Sequence, residues 1–300
     1  NVGSTSGAIT AAAGRNVTLN AGNISTGGNI NLTATAGAIN EASTGLLSGA
    51  LLTTNSATGT TLGNANTITS FNAGNSGTGV ISLINTAAPL TITGITQSGT
   101  GNVSVNNTGN ISITGTVAGG SNNVSLTSSG TLAESGSGLI SGALLTTNSV
   151  GGQTLNGANA VSSFNATNTT SGNIAFINTA APLTITGISQ TGGGNVTVNN
   201  TGALTTSGAI TTAANGTISL TSSGTQTLGA AVTAGGSGTV GLTANGATSD
   251  ILVNANVGST SGAITALAGR SITLNAGNIS TSGNINLTGT AGAISEAGAG

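Results

Sequence analysis

The chain has 300 residues, of which only 2% are charged, with a net charge of −2, no Cys, His or Met, and three Phe as its only aromatic residues. This composition excludes a disulfide framework, a Cys/His zinc site and a basic or aromatic surface for nucleic acid. The 52 glycines and the mean hydropathy of +0.29 favour a narrow folded core of small aliphatic residues, because disordered chains are usually polar and highly charged.

No run of 18 apolar residues occurs in the sequence, so we predict no membrane-spanning helix. The chain starts at Asn1 without a methionine or a signal-like segment, and it stops within a repeat. We therefore expect it to be an internal segment of a longer repetitive chain.

Residues 1–45 return as residues 256–300 with eight mismatches. The string "GNINLTATAGAINEA", for example, comes back as "GNINLTGTAGAISEA". Self-similarity at a fixed distance is the signature of a repeat protein. The sequence therefore contains a 255-residue superrepeat.

A second repeat, of 93 residues, relates residues 46–138 to residues 139–231. It matches "LLSGALLTTNS" to "LISGALLTTNS", and Phe71 to Phe164, whereas Leu83 is replaced by Phe176. Its opening segments, 46–71 and 139–164, are rich in Leu and lose the spacing of the surrounding sequence. We predict a widened or irregular turn in each of them, with a projecting loop as one form that it could take.

The shortest period consists of apolar-polar-apolar triplets bounded by Gly, Asn and Thr, each typical of a short strand. Successive triplets of one row lie 21 or 22 residues apart, as in Val103/Val105, Val124/Leu126; Leu90/Ile92, Ile111/Ile113; and Ile188, Ile210, Val232. Three short strands per 21–22 residues predict an all-β fold, a parallel β-helix in which residues 1–300 form one continuous solenoid.

The segments 14–39 ("GRNVTLNAGNISTGGNINLTATAGAI") and 269–294 resemble the repeats of filamentous-haemagglutinin-like exoproteins of Gram-negative bacteria. The resemblance implies a right-handed β-helix that is secreted by a two-partner or autotransporter route and acts in adhesion, biofilm formation or contact-dependent inhibition. It also implies an extracellular or cell-surface location, with these repeats as the shaft of a larger protein.

The few charged residues do not form a catalytic pattern. Glu41 and Glu134 are 93 residues apart in the sequence, so several coils separate them. Paired glycosidase carboxyl groups lie only about 5 to 9.5 Å apart. We predict no enzymatic activity, no cofactor, and no catalytic, cofactor-binding or metal residue. The three glutamates, Glu296 included, are expected to be solvated corner residues, with a periodic acidic contact as the alternative. The 26-residue spacing also allows ion pairs of Arg15 with Glu41 and of Arg270 with Glu296.

Two surface motifs allow alternatives. The N-glycosylation acceptor pattern occurs at several Asn residues, which a turn before a strand would also select: Asn16, Asn23, Asn110, Asn123 and Asn195. The "TIT" strings at 91–93 and 184–186 are typical of ice-binding solenoids, but outward Thr is also ordinary in sheets.

The pattern as a whole favours a structural function. We expect a rod segment that serves as an adhesin stalk or an extracellular fibre. Its expected partners are other copies of itself and a host or neighbouring-cell surface. The alternatives are a module that binds a glycan or host surface through one solenoid face, and an ice-binding solenoid.

Overall fold

The computed structural model describes residues 1–297, which contain 33 β-strands and no α-helix. The chain divides into two compact units, residues 1–148 and 149–300. Both are solenoids of stacked parallel coils, with about 13 turns in total. The all-β class and the parallel coiled architecture are thus confirmed, while right-handed winding and one continuous solenoid stay predictions.

The strands of the first unit are short except where the Leu-rich segments begin. They are β1 (Val2–Ser4), β2 (Ile9–Ala13), β3 (Val17–Leu19), β4 (Ile24–Thr26), β5 (Ile30–Ala34), β6 (Ile39–Glu41), β7 (Leu47–Ser56), β8 (Thr60–Asn75), β9 (Ile81–Asn85), β10 (Leu90–Gln97), β11 (Val103–Asn107), β12 (Ile111–Ile113), β13 (Thr116–Ala118), β14 (Val124–Ser128), β15 (Leu132–Glu134) and β16 (Leu139–Ser149), whose last residue belongs to the second unit.

The second unit begins with a long strand and then settles into regular short ones. They are β17 (Gln153–Asn168), β18 (Ile174–Asn178), β19 (Leu183–Gln190), β20 (Val196–Asn200), β21 (Leu204–Thr206), β22 (Ile210–Thr212), β23 (Ile218–Ser222), β24 (Gln226–Leu228), β25 (Val232–Ala234), β26 (Val240–Ala244), β27 (Ile251–Val253), β28 (Val257–Ser259), β29 (Ile264–Ala268), β30 (Ile272–Leu274), β31 (Ile279–Ser280), β32 (Ile285–Gly289) and β33 (Ile294–Glu296).

The strand pairings confirm the rows of triplets that the sequence predicts. Val103 pairs in parallel with Val124, Ile92 pairs with Ile113, and Ile188 pairs with Ile210. In the interior coils alternate residues point inward and are mostly apolar, as in β11, where Val103 and Val105 are buried and Asn106 is exposed. Small branched side chains therefore stack into a narrow core, as their packing volume requires.

Glycines allow the corners of successive coils to lie close together. Gly79 and Gly101 both have positive φ, 97° and 131°. A Cβ on Gly101 would lie 2.2 Å from the carbonyl oxygen of Gly79, which no side chain could tolerate. A corner with these dihedrals and this approach needs glycine.

Buried polar side chains lie at the inner corners, where several of the longer strands end. Asn85 Nδ2 donates to Asn107 Oδ1 at 2.9 Å, and Asn178 Nδ2 donates to Asn200 Oδ1 at 2.8 Å. Asn75 Nδ2 likewise donates to Gln97 Oε1 at 2.8 Å. Each pair joins adjacent coils, so the polar corners form ladders beside the apolar core.

The Leu-rich segment 46–71 does not form the projecting loop that its sequence suggests. It lies within β7 and β8, which pair directly, with Leu52 opposite Phe71. Paired residues here are 19 apart, against 22 for Ile30 and Leu52 in the preceding pairing. The coil is therefore narrower than its neighbours, because the bends of β8 replace the separate corner turns.

This narrow coil changes the order of the sides in the first unit. We number the three columns of stacked strands by their first members, β1, β2 and β3. Column 1 ends at Ile68 of β8. Column 2 divides into two columns at β10, because Ser70–Phe71 pairs with the start of β10 and Asn72–Asn75 pairs with its end. The five-residue strands lie in column 2 before the narrow coil and in column 3 after it, from β9 onward.

Equivalent residues of the 93-residue repeat consequently lie on different sides. Leu52 pairs with Ile30 in column 2, but its equivalent, Leu145, pairs with Val124 in column 3. One copy of the repeat therefore comprises four complete turns and one of the three sides of a further turn.

Asn85 completes the hydrogen bonds at the end of column 1. Its Oδ1 accepts from the Ile68 N–H at 2.8 Å, and its Nδ2 donates to the Ile68 carbonyl at 3.0 Å. The side-chain amide thus takes the place of the next strand. In the second unit Asn178 bonds the N–H and carbonyl of Val161 in the same way, at 2.9 and 3.2 Å.

The aromatic residues lie in the core. Phe71, Phe164 and Phe176 are each at most 1% exposed. The rings of Phe164 and Phe176 are stacked, with centroids 4.0 Å apart and planes 14° from parallel, slightly closer than the usual separation of aromatic pairs. They therefore stabilise the interior and are not available to stack on a ligand.

Candidate functional site

Arg270 forms an ion pair with Asp250, not with Glu296 as its spacing suggests. The guanidinium donates through Nε to Asp250 Oδ1 at 2.8 Å and through Nη2 to Oδ2. The hydrogen bond from Arg270 lowers the pKa of Asp250. Since the Arg270 side chain is largely exposed, the pair contributes little to stability.

Glu41 is partly buried, which corrects the prediction of a solvated corner residue. Its Oε2 accepts hydrogen bonds from the Asn64 backbone N–H at 2.9 Å and from Asn66 Nδ2 at 3.2 Å. These contacts hold the narrow coil and replace the predicted ion pair with Arg15. Burial raises the pKa of Glu41 above its ordinary value of 4.5, and the two hydrogen bonds oppose that rise.

Glu41→Gln is expected to raise the melting temperature at pH 7.5. Burial favours the protonated form of Glu41. The contribution of this protonated side chain to the free energy of unfolding is therefore present below pH 4.5 and is lost as the pH rises through the raised pKa. Glutamine should remove this pH dependence. Thermal melts from pH 4 to 8 would measure it, with the exposed Glu296→Gln as control. A lower melting temperature for Glu41→Gln at pH 7.5 would contradict the argument.

The glutamates do not converge on one place. Glu41 ends β6 in column 3, whereas Glu134, 93 residues later, lies opposite Ile113 in the divided column 2. Glu296 is exposed at the end of β33. Among residues 1–297, no three His, Cys, Asp or Glu side chains are grouped to hold a metal ion. The absence of enzymatic activity stays a prediction.

Four of the glycosylation-pattern asparagines bond the next coil. The Oδ1 atom of each accepts a backbone N–H that lies 21 to 23 residues later, at 2.9 to 3.1 Å; these residues are Asn16, Asn23, Asn110 and Asn195. The pattern at these positions therefore has a structural reason: the side chain satisfies an exposed corner N–H.

The first "TIT" string does not continue into a rank of Thr, whereas Thr184 of the second pairs with Thr205 and Thr205 with Thr227, a file of three Thr. Thr91 lies between Ser70 and Ser112 on the neighbouring coils. The Thr93 and Thr186 hydroxyls donate to the carbonyls of Phe71 and Phe164 at 3.2 Å. The second Thr of each string thus stabilises the bend of its strand.

The first unit carries an open groove of about 310 Å³, which we call the Gly74 groove. It runs along the corner where β5, β7, β8 and β10 end. Its lining residues are Thr33, Ala34, Thr35, Asn55, Ser56, Gly74, Asn75, Ser76, Thr96 and Ser98. None of them is charged, so the groove offers hydroxyls, amides and methyl groups only.

The groove lies above a fixed polar floor. Ser56 and Asn75 are buried and joined by a 3.0 Å hydrogen bond, and Asn75 continues to Gln97. The outward file of side chains above them runs Thr33, Asn55, Gly74. Sequence reasoning did not find this groove, because its residues meet only when four coils are stacked.

No family model, curated protein or solved structure matched this chain. Within residues 1–297 there is also no helix with the length and apolar content needed to cross a membrane.

Proposed function

We propose that the chain is a structural segment of a large secreted protein at the surface of a Gram-negative bacterium, similar to the filamentous-haemagglutinin-like exoproteins. The observation that carries this proposal is the stacking of parallel coils in both units, with backbone hydrogen bonds between successive turns. Such a solenoid gains stability from each neighbouring coil and is extended by repetition.

The surface supports a mechanical role that includes self-association. Charged residues, especially Lys, normally keep exposed sheets from associating, and this sequence has no Lys and only two Arg. Outward Thr, Ser and Asn can donate and accept hydrogen bonds with a second copy. The rod therefore acts as an adhesin stalk or as a fibre in adhesion or biofilm.

Electron microscopy and fibre diffraction of the purified chain test this proposal. We expect thin rods with an axial spacing of about 4.8 Å. Isolated rods would favour a stalk, and ordered bundles would favour a fibre. Removing residues 139–231, one 93-residue copy, should shorten the rod by about 20 Å at the same axial rise. Compact particles without the axial spacing would overturn the proposal.

A binding function is the second candidate, and the Gly74 groove is the observation that favours it. Replacing its lining should leave the rods unchanged in the microscope. The two functions are therefore separable by experiment.

A further inference from the structure

The Gly74 groove has the size and shape of a site for an extended ligand. Its volume of about 310 Å³ is at the lower end of ligand pockets. It follows the ends of four stacked strands, so it is about 14 Å long at a strand spacing of about 4.8 Å.

Polar groups in the groove are free to bind. The side chains of Thr33, Asn55 and Thr96 make no hydrogen bond within residues 1–297. By contrast, Asn148, the repeat equivalent of Asn55, donates to Thr127 at 3.5 Å. Two hydroxyls and one amide therefore present donors and acceptors along one line.

Gly74 makes the central depression of the groove. It follows Asn55 and precedes Thr96 in the outward file, and it has no side chain to fill the space between them. A Cβ at Gly74 would lie 3.1 Å from Asn55 Oδ1. The equivalent residue of the second copy is Thr167, so the two copies differ at the floor of the depression.

The lining determines the chemistry of the ligand. A carboxylate or sulfate would lose hydration without meeting a cation, which is costly. Hydroxyls and an amide suit a ligand rich in hydroxyl groups, and the Thr methyls and Ala34 suit the C–H faces of sugar rings. We propose that the Gly74 groove binds an uncharged oligosaccharide. Without an aromatic platform the binding is weak.

This inference goes beyond the structural role, and a rod that lacks the site would still give the axial spacing. Calorimetric titration of the whole chain with maltohexaose, cellohexaose and xylohexaose tests it, with hexagalacturonate as the acidic comparison. We expect saturable binding of at least one neutral oligosaccharide and none of hexagalacturonate.

Gly74→Thr should weaken that binding by at least about tenfold, because it places the residue of the second copy in the depression. Gly74 has an ordinary strand φ, so the variant should fold, and a thermal melt would verify this. Asn55→Ala should also weaken binding, whereas Asn106→Ala, on another exposed strand face, should not. The proposal is overturned if no neutral oligosaccharide binds, if hexagalacturonate binds equally well, or if Gly74→Thr keeps the original affinity.

Discussion

Asn85→Ala is expected to destabilise the first unit by about 2 to 6 kcal/mol, the combined cost of two buried backbone groups without partners. The Ile68 N–H and carbonyl both bond the Asn85 side chain, and both atoms belong to a residue with no exposed surface. Alanine removes the amide and cannot replace either bond. Denaturant unfolding followed by circular dichroism would measure the loss.

Hydrogen exchange gives the Asn85 prediction a local readout. The Ile68 amide should exchange faster in Asn85→Ala, because its acceptor is lost. Asn106→Ala, on the adjacent strand β11 and exposed, should change stability by at most about 0.5 kcal/mol. Asn178→Ala should repeat the effect at Val161. Unchanged stability and unchanged Ile68 exchange would show that Asn85 is not the terminating group of column 1.

Phe164→Ala is expected to destabilise the second unit by about 3 to 5 kcal/mol. Phe164 has no exposed surface, and its ring stacks on Phe176. Alanine would leave a cavity that the strands on either side cannot close, because their backbones are fixed by hydrogen bonds to adjacent coils. The midpoint of denaturant unfolding measures this loss.

Phe176→Leu is the matched control for the aromatic pair, since the first copy of the repeat has Leu83 at this position. It keeps an apolar side chain and removes the ring contact, so we expect a loss of only about 0.5 to 1.5 kcal/mol. If Phe176→Leu were as damaging as Phe164→Ala, the stability would come from the stacking and not from the filled volume.

The regular coils could be predicted from sequence because one local rule repeats. An inward position must be apolar, its neighbours face outward, and the same position returns after one turn. Val103, Val124 and Leu145 satisfy this rule and pair in register. Periodicity alone therefore gives both the strands and their partners.

The change of columns could not be predicted in this way. The register of β7 on β8 depends on which corner residues the narrow coil omits. Paired residues are 19 apart here, and the inward-outward alternation along each strand stays the same, so it does not reveal the change. Asn85 has the same sequence context as the other strand-ending asparagines, such as Asn107. Only the stacked coils show that it faces the free end of another strand.

The charged contacts were missed for a related reason. Arg270 is 20 residues from Asp250 and 26 from Glu296, and both spacings approximate one turn. Which acid it meets depends on the side of the coil that each residue occupies. The Gly74 groove likewise depends on four coils at once, so no single segment contains its signal.

The extra side in the 93-residue repeat has a consequence for tandem arrays of this sequence. Gain or loss of one copy would lengthen or shorten the array by four turns and would also turn everything beyond it by about a third of a revolution, given three sides per coil. Any patch beyond that point would then face a new direction. Three copies would restore the original direction, so the number of copies determines both the direction in which such a patch faces and its distance along the array.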